Sequence, residues 1–292
     1  MDWLKRMNSA LEYIEDNLAG KIDFKIAAGI SCCSVYHFQR MFSFMTDIPL
    51  SEYIRRRRLT LAAFELQQSE IKVIDLALKY GYESPEAFTR AFQKMHGVTP
   101  TLARQIGICL KSYPRLSFTI TIRGAEEMSY KIIEKEGFTV FGVEEIFSIE
   151  NGENLRCIPQ MWDRLLSDGT VERIGQASGR VWNEFSRGIM PVNAVMCYRE
   201  EEANRFPYMI CGFMPESGHV NTESYTVVEI PTLTWAVFTS ELAHIQNLWK
   251  RIYTEWFPIS SYEPLSGPQL EMYGVAEGGK RYCEVWIPVA HK

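Results

Sequence analysis

The sequence predicts a two-domain protein, with an all-α N-terminal domain followed by an α+β domain. Its 292 residues are too many for one small core. Helical periodicity runs through the first hundred residues, and the pattern Phe-x-Arg-x-Phe occurs there twice, at 38–42 and 88–92. Beyond Gly107 that periodicity ends, and similar segments recur at an offset of 95 residues. We therefore expect helical residues 1–107, a linker at 108–124, and an α+β domain at 125–292.

The composition favours an ordinary globular protein in a reducing compartment. The hydrophobic fraction is 46% and the charged fraction 23%. The chain has no run of about 18 apolar residues that would span a membrane, and its N-terminus lacks the apolar core of a secretory signal. Seven cysteines include the adjacent pair Cys32–Cys33 but no CxxC spacing. Reduced thiols, a cytoplasmic location and no metal or other cofactor are the expectations.

The charge is uneven along the chain. Residues 1–107 contain 14 Lys and Arg against 12 Asp and Glu, whereas the remainder contains 17 against 24. The first part therefore carries +2 and the second −7. Only the first part suits a polyanion. The acidic remainder favours a cationic or neutral ligand, although a solvated acidic surface is the common alternative.

Helices account for the first domain in order. The opening apolar stripe ends near Gly20, as expected for an amphipathic helix. The later helices are predicted at 24–30, 35–45, 50–66, 73–80 and 85–96. The run Arg55–Arg58 lies on the fourth helix, where the helical period distributes its four side chains around all faces. We expect one of them at most to reach a phosphate.

A duplicated helix pair explains the repeated pentapeptide. Residues n and n+50 match at Ala27 and Ala77, Ser34 and Ser84, Phe38 and Phe88, Arg40 and Arg90, Phe42 and Phe92, and Met45 and Met95. In the second copy, Gly81 can take a positive φ, and Ser84 with Pro85 supplies an N-cap and a first-turn residue. This order predicts a helix-turn-helix unit, written twice.

Helical spacing assigns each repeated helix an inner and an outer face. The inner positions of the first copy are Val35, Phe38, Phe42 and Met45. Its outer positions are Tyr36, Gln39, Arg40 and Ser43. The outer positions of the second copy are Glu86, Thr89, Arg90 and Gln93. Arg, Gln and Thr reach base edges and phosphates, so the outer faces suit DNA, although a plain packed bundle is the alternative.

The segments IAAGISCCSVYHFQRMF and DLALKYGYESPEAFTRAFQKMHGVTPTLAR resemble the two helix-turn-helix units of AraC/XylS transcription regulators. The resemblance covers residues 1–107. It implies that two helices enter successive major grooves on one face of the DNA. The implied DNA-contacting residues are Tyr36, Gln39, Arg40, Ser43, Thr89, Arg90 and Gln93.

The second domain also shows an internal repeat. Tyr130–Glu134 aligns with Tyr225–Glu229, and Thr139–Gly142 with Thr234–Val237. A helix with a Trp and an Arg two residues later follows in each copy, at 161–165 and 248–252. Strands end the copies at 207–214 and at 269–275 with 282–289. We predict an α+β domain built from a duplicated β-α-β-β unit.

The segments LWKRIYTEWFPISSYE, LEMYG and YCEVWIPV resemble the GyrI-like effector-binding domain. The resemblance covers about 125–292, and the order of the two domains resembles that of Rob-like regulators. It implies a cleft for a small, hydrophobic or cationic aromatic molecule around a buried carboxylate at Glu284. Strand alternation places Tyr282, Glu284 and Trp286 on one face, which suits an organic cation. Further expected effector-binding residues are Trp182, Tyr208 and Trp235.

Three functions remain open at the sequence level. The preferred one is a transcription regulator that binds double-stranded DNA and a small effector, with RNA polymerase as a further partner. It would act as a monomer or weak dimer away from membranes. A hydrolase or scavenger with an autoregulatory DNA-binding domain is the first alternative, and a pure interaction module is the second. An enzyme is not expected because HExxH, GxSxG, P-loop and GxGxxG motifs are lacking.

Overall fold

A computed structural model describes residues 3–119, 127–149, 152–178, 191–199, 201, 205–215, 220–275 and 279–292. The chain divides into two compact units. The first comprises residues 1–32 and 48–119, and the second comprises residues 33–47 and 120–292. The helix that contains Arg40 thus belongs to the second unit, whereas the sequence places it with residues 1–107. None of the described helices is both long and apolar enough to span a bilayer.

The predicted helices of the first hundred residues are all present. Their bounds are α1 Trp3–Asp16, α2 Phe24–Ile30, α3 Val35–Thr46, α4 Leu50–Gln68, α5 Val73–Lys79 and α6 Pro85–His96. Side chains cap three of them, because the hydroxyl or carboxylate accepts a first-turn N–H. Asp23 caps α2, Ser34 caps α3 and Ser84 caps α6. The caps coincide with the helix starts that the sequence predicts.

The turn between α5 and α6 favours glycine because its backbone is left-handed. Gly81 has φ +74°, and a Cβ there would lie 2.9 Å from Nη1 of Arg58. The turn of the first copy uses Cys32 at φ 56° instead, a conformation that costs a residue with a side chain about 1 kcal/mol. The two turns therefore reach a left-handed residue by different means.

One core cluster of the first unit forms where α4, α5 and α6 meet. Leu66, Leu76, Phe88 and Phe92 are buried there with small residues of α4. The prediction that the two phenylalanines of the second pentapeptide form core is confirmed.

All four arginines of the run 55–58 have partners in the first unit. Arg55 and Arg56 pair with Glu52 of the preceding turn. Nη2 of Arg57 lies 2.8 Å from Glu15 Oε2, and Arg58 donates to the carbonyl oxygens of Leu18 and Gly20. The run holds helices and loops together.

An antiparallel sheet forms the second unit. Its strands are β1 Tyr130–Lys135, β2 Phe138–Ser148, β3 Asn193–Met196, β4 Arg205–Phe213, β5 Thr226–Ile230, β6 Leu233–Glu241, β7 Tyr262–Pro264, β8 Gln269–Val275 and β9 Arg281–His291. The order across the sheet is β1-β6-β9-β8-β3-β4-β2-β5, with β7 on β9. The predicted α+β class is confirmed. The β-α-β-β detail is not, because two strands precede the helices in each half.

Helices accompany the sheet in both halves of the second unit. They are α7 Glu153–Ser167, α8 Thr170–Ala177, α9 Ile245–Arg251 and α10 Phe257–Ile259. A π-helical turn, Ile252–Trp256, joins α9 to α10. Such turns are frequent at functional sites because they displace side chains from the regular helical positions. The turn carries Tyr253, which lies beside α3.

Candidate functional site

One face of α3 packs into the second unit. Tyr36, Arg40 and Phe44 are spaced by four residues and so share a side of the helix. The Tyr36 ring lies 4.3 Å from that of Phe206, measured between centroids, and only 8% of Tyr36 is exposed. The prediction of an outward position is wrong for Tyr36, because Phe206 of β4 packs against its ring. It is also wrong for Gln39, which is 5% exposed.

Arg40 occupies a polar and aromatic environment in the second unit. Its Nη1 donates to Tyr36 Oη at 2.9 Å and to Gln269 Oε1 at 2.9 Å, and it lies 3.0 Å from Met196 Sδ. Its Cζ lies 3.9 Å from the ring centroid of Trp249. Cation–π contacts of this kind contribute about 0.5–2 kcal/mol, more when they are desolvated. Arg40 is therefore bound as a cation.

Three nearly parallel rings continue the Arg40 environment. Phe44 lies 6.2 Å from Trp249 with an interplanar angle of 3°. Tyr253 lies 6.0 Å from Phe44 at 14° and 6.2 Å from Trp249 at 11°. Trp249 and Tyr253 are fully buried. Trp249 of α9 thus presents its face to the guanidinium, and Tyr253 of the π-helical turn stacks against Phe44 and Trp249.

A buried carboxylate lies behind these rings. Glu271 on β8 is 8% exposed. Its Oε1 accepts the indole N–H of Trp249 at 2.7 Å, and its Oε2 accepts the hydroxyl of Tyr273 at 2.8 Å. Burying a carboxylate is costly unless donors and a cation compensate. We call Glu271, Trp249, Tyr253, Gln269 and Tyr273 the Glu271 site.

Tyr208, one of the predicted effector residues, extends the Glu271 site. Its hydroxyl accepts the indole N–H of Trp162 at 2.9 Å. Trp162 in turn meets Tyr273 edge to face, with centroids 5.4 Å apart. Burial raises the pKa of Tyr208 and of Tyr273, and the nearby Glu271 raises both further. Both phenols therefore stay protonated and can donate.

The charges around Arg40 are consistent with a cation site. Burial alone would lower the pKa of Arg40, but Tyr36, Tyr253, Cys197 and Glu271 hold it above its ordinary value. Burial and the Arg40 charge lower the pKa of His37 to about 3. His37 is therefore neutral, and its Nε2 accepts a hydrogen bond from the amide Nε2 of Gln269. One full positive charge, that of Arg40, is thus held on this face of α3.

Glu284 lies on the opposite face of the sheet from Glu271. Across β8 and β9, Glu271 pairs with Val285, whereas Glu284 pairs with Met272. Because neighbours along a strand alternate between faces, the two carboxylates point away from each other. Glu284 is 2% exposed, and its Oε2 accepts the indole N–H of Trp286 at 2.9 Å.

The surroundings of Glu284 contain both aromatic rings and a basic group. Burial raises the pKa of Glu284, while Trp286 and Lys131 lower it in part. Trp235 and Trp286 meet edge to face, 5.8 Å between centroids. The indole N–H of Trp235 has no hydrogen-bond partner among the described residues. Tyr282 is partly exposed, and Trp182 lies outside the described residues.

The predicted effector residues are therefore separated by the sheet. Tyr208 lies with the Glu271 site, whereas Trp235 and Trp286 lie with Glu284. Sequence reasoning missed Glu271, although LEMYG carries the resemblance. The available signal was the alternation of Gln269, Glu271 and Tyr273, which places a carboxylate beside a phenol on one strand face.

The second helix with the pentapeptide, α6, exposes its outer face within the first unit. Arg90 and Gln93 are exposed, and Thr89 is partly exposed. Phe88 and Phe92 are fully buried. In the first copy, by contrast, Ser43 is partly exposed, and its hydroxyl donates to the Gln39 carbonyl at 3.0 Å. The described residues contain no group of three or more His, Cys, Asp or Glu that could hold a metal.

Comparisons with known proteins identify two families, one for the helical N-terminal part of the chain and one for the part with the sheet. Residues 131–289 match the family of integron-associated effector binding proteins, Cass2, over more than half of the chain. Residues 27–106 match a helix-turn-helix domain family.

Three known proteins illustrate the similarity. The transcriptional activator AarP of Providencia stuartii is 40% identical over 98 residues, which cover 34% of this chain and 73% of AarP. The regulatory protein SoxS of Escherichia coli K12 is 34% identical over 101 residues, covering 35% of this chain and 94% of SoxS. The structure of SAV2435 bound to tetraphenylphosphonium aligns with 56% of this chain and 94% of its own, at 18% identity and a TM-score of 0.45.

The chain therefore belongs to the integron-associated effector binding protein family and to the AraC-type regulators, and it is a DNA-binding transcription regulator with a GyrI-like effector-binding domain.

Proposed function

We propose that this regulator binds an organic cation at the Glu271 site and contacts DNA through side chains of α3 and α6. The proposed DNA contacts are Tyr36, Gln39, Arg40, Ser43, Thr89, Arg90 and Gln93. Arg and Gln reading base edges each discriminate by about 1–3 kcal/mol. Two such helices in one chain can span a helical turn of DNA, so a monomer suffices. Residues 1–107 and 125–292 are the proposed limits of the two functions.

The observation that carries the effector proposal is the buried carboxylate of Glu271 among aromatic rings. Both of its oxygens accept from aromatic side chains, Trp249 and Tyr273, and the Trp249 ring also offers its face to a cation. The guanidinium Cζ of Arg40 already lies 3.9 Å from the ring centroid of Trp249 in this structure. A flat or aromatic monocation would gain the same contacts, with charge selection by the carboxylate in a low dielectric.

Binding without chemistry is the proposed role of the Glu271 site. The thiol that lies near it, Cys197, has a pKa raised to about 12 by burial, so it is not a thiolate nucleophile at neutral pH. His37 has a pKa of about 3, which is too low for a general base near neutrality. We therefore propose a sensor rather than a hydrolase, acting in the cytoplasm with RNA polymerase as its further partner.

Tetraphenylphosphonium tests the effector proposal because it is a lipophilic aromatic cation. Tetraphenylborate has the same shape and the opposite charge, and it serves as the ligand control. Calorimetry on the full-length protein should show binding of the phosphonium and none of the borate. Quenching of tryptophan fluorescence gives a second readout, since Trp249 is part of the site.

Two conservative variants identify the carboxylate. Glu271→Gln should weaken phosphonium binding by at least about tenfold, because the amide keeps the shape and removes the charge. Glu284→Gln is the matched control, a buried glutamate on the other sheet face, and should leave binding within about twofold. Loss of binding in Glu284→Gln alone would contradict the Glu271 proposal and support the sequence-based site of Glu284, Trp286, Tyr282 and Trp235.

A further inference from the structure

We infer that Arg40 is an internal ligand of the Glu271 site, so that effector binding and capture of α3 exclude each other. The inference rests on the proposed cation site and concerns what occupies it without effector. In this state α3 is held with its proposed DNA-reading face covered. An external cation that replaces Arg40 would release that face for DNA.

Capture of α3 in the second unit and DNA reading by α3 use the same side chains. Tyr36 and Arg40 are proposed DNA contacts, yet Tyr36 is 8% exposed and lies against Phe206. Arg40 donates to Gln269, a member of the Glu271 site, and covers the Trp249 ring. A guanidinium at these atoms cannot reach a guanine edge or a phosphate. Capture in the second unit and DNA reading by α3 are therefore alternative states.

Arg40 has the chemistry of the proposed effector. It is a planar monocation, its Cζ lies over the Trp249 ring, and its charge interacts with Glu271. An organic cation would need the Trp249 face and the field of the same carboxylate. The two cations thus compete for one desolvated position, and binding of either removes part of the affinity for the other.

One ion pair outside the Glu271 site also joins α3 to α9. Nζ of Lys250 lies 2.6 Å from Oδ2 of Asp47, the residue that ends α3. Lys250 is 38% exposed and Asp47 is 73% exposed, so this ion pair contributes little alone. It nevertheless offers a place to loosen α3 without altering the cation site.

Competition predicts a direct effect of Arg40 on effector affinity. When an internal ligand occupies a site, the apparent dissociation constant is divided by the fraction of molecules in which the site is open. Arg40→Ala removes the internal ligand and should tighten phosphonium binding by about tenfold, if about nine-tenths of sites are occupied by Arg40. Arg90→Ala, the same change in the second pentapeptide, should leave phosphonium affinity unchanged.

Hydrogen exchange of the unmodified full-length protein provides a second test. Saturating tetraphenylphosphonium should accelerate amide exchange over residues 35–46. The expected factor is about tenfold, if the phosphonium opens the nine-tenths of sites that Arg40 otherwise occupies. Residues 85–96 of α6 should not change. Lys250→Glu, which places two acidic groups together, should accelerate exchange over 35–46 by about threefold without effector, and Asp47→Lys in the same chain should restore protection.

The outcomes separate this inference from the proposed function. If Glu271→Gln abolishes phosphonium binding but Arg40→Ala does not tighten it and 35–46 stays protected, the site is real and Arg40 is not its internal ligand. If the phosphonium does not bind wild type or Arg40→Ala, the cation site itself is wrong. If exchange over 35–46 rises on phosphonium binding but affinity for a duplex selected from a random pool does not, α3 is captured but does not read DNA.

Discussion

The helices α3 and α6 contain the same pentapeptide and differ in what their arginines contact. In α6, Phe88 and Phe92 are buried and Arg90 is exposed. In α3, Phe38 and Phe42 are buried too, but Arg40 is bound among the rings of the second unit. The inner faces are alike and the outer faces are not. The comparison shows that the repeat determines which side of a helix forms core, whereas distant residues determine whether the other side is available.

Removal of Arg40 or of Arg90 is expected to have the largest effect on DNA binding. With saturating tetraphenylphosphonium, Arg40→Ala and Arg90→Ala should each weaken binding to a selected duplex by about 1–3 kcal/mol, because each loses a base or phosphate contact. Fluorescence anisotropy at one fixed salt concentration measures this. Gln176→Ala, on the exposed surface of α8, is the control.

The same measurement without the cation sharpens the comparison. Arg90→Ala should show its full loss in both conditions. Arg40→Ala should show a smaller loss without the cation, since removing the internal ligand also frees α3. Equal losses for the two variants in both conditions would make the helices equivalent, and an unchanged affinity of the double variant would remove both from the DNA interface.

Acid should release α3 before it affects α6. The pKa of His37 is lowered from 6.5 to about 3 in the captured state. Because His37 is harder to protonate in the captured state, that state is most stable above pH 6.5, where the imidazole is neutral. It loses stability as the pH falls from 6.5 towards 3. Protection of residues 35–46 should therefore fall by up to about tenfold for each pH unit in this window. Hydrogen exchange at pH 7 and pH 5 measures it, with rates corrected for intrinsic pH dependence.

His37→Gln is the control for this acid effect. Glutamine can accept from and donate to Gln269 without titrating, so the pH dependence of protection over 35–46 should disappear. A variant that keeps the full pH dependence would assign it to another group. Since His96 of α6 also has a pKa lowered by burial, exchange over 85–96 in the same experiment reports whether its response is separate.

Local signals made much of the fold predictable. Helix starts follow from capping residues such as Ser84 with Pro85, and the cores follow from apolar residues such as Phe88 at helical spacing. These features act within one or two turns of chain. The burial of Tyr36 could not be predicted in this way, because it depends on Phe206 in β4, far along the sequence. A helix pattern describes its own faces and not the residues that cover them.

The two carboxylates show the same limit for the effector site. Period-two alternation correctly separates the faces of each strand, and it groups Glu284 with Trp286. It does not say which face of the sheet lies against α9. That depends on the register between β8 and β9, where Glu271 is opposite Val285, and on the indole of Trp249 reaching Glu271. Register and helix packing are long-range, so Glu271 was not distinguished from other strand glutamates.

The smallest predicted effect separates the two helix caps. Ser34 Oγ accepts the His37 backbone N–H at 3.3 Å and also lies 3.0 Å from Nδ1 of its ring. Among the described residues, Ser84 Oγ accepts a backbone N–H in the same role, that of Ala87 at 3.1 Å, and has no imidazole partner. Ser84→Ala should cost about 1 kcal/mol of unfolding free energy, the usual value for a lost cap. Ser34→Ala should cost more, by about 0.5–1.5 kcal/mol, because it also leaves a buried imidazole nitrogen without its partner.

Urea denaturation of the full-length variants measures both caps. Tryptophan fluorescence reports mainly on the second unit, which contains six of the seven tryptophans, whereas Trp3 lies in α1 of the first unit. Far-ultraviolet circular dichroism also follows the helical first unit. Ser84→Gly introduces glycine, which the N-cap position tolerates. It should therefore recover most of the unfolding free energy that Ser84→Ala loses at α6. Ser34→Gly should recover the cap but not the imidazole contact, so a difference between the two positions must persist. Equal costs at both caps would mean that α3 gains nothing from His37, and that the capture of α3 depends on Tyr36 and Arg40 alone.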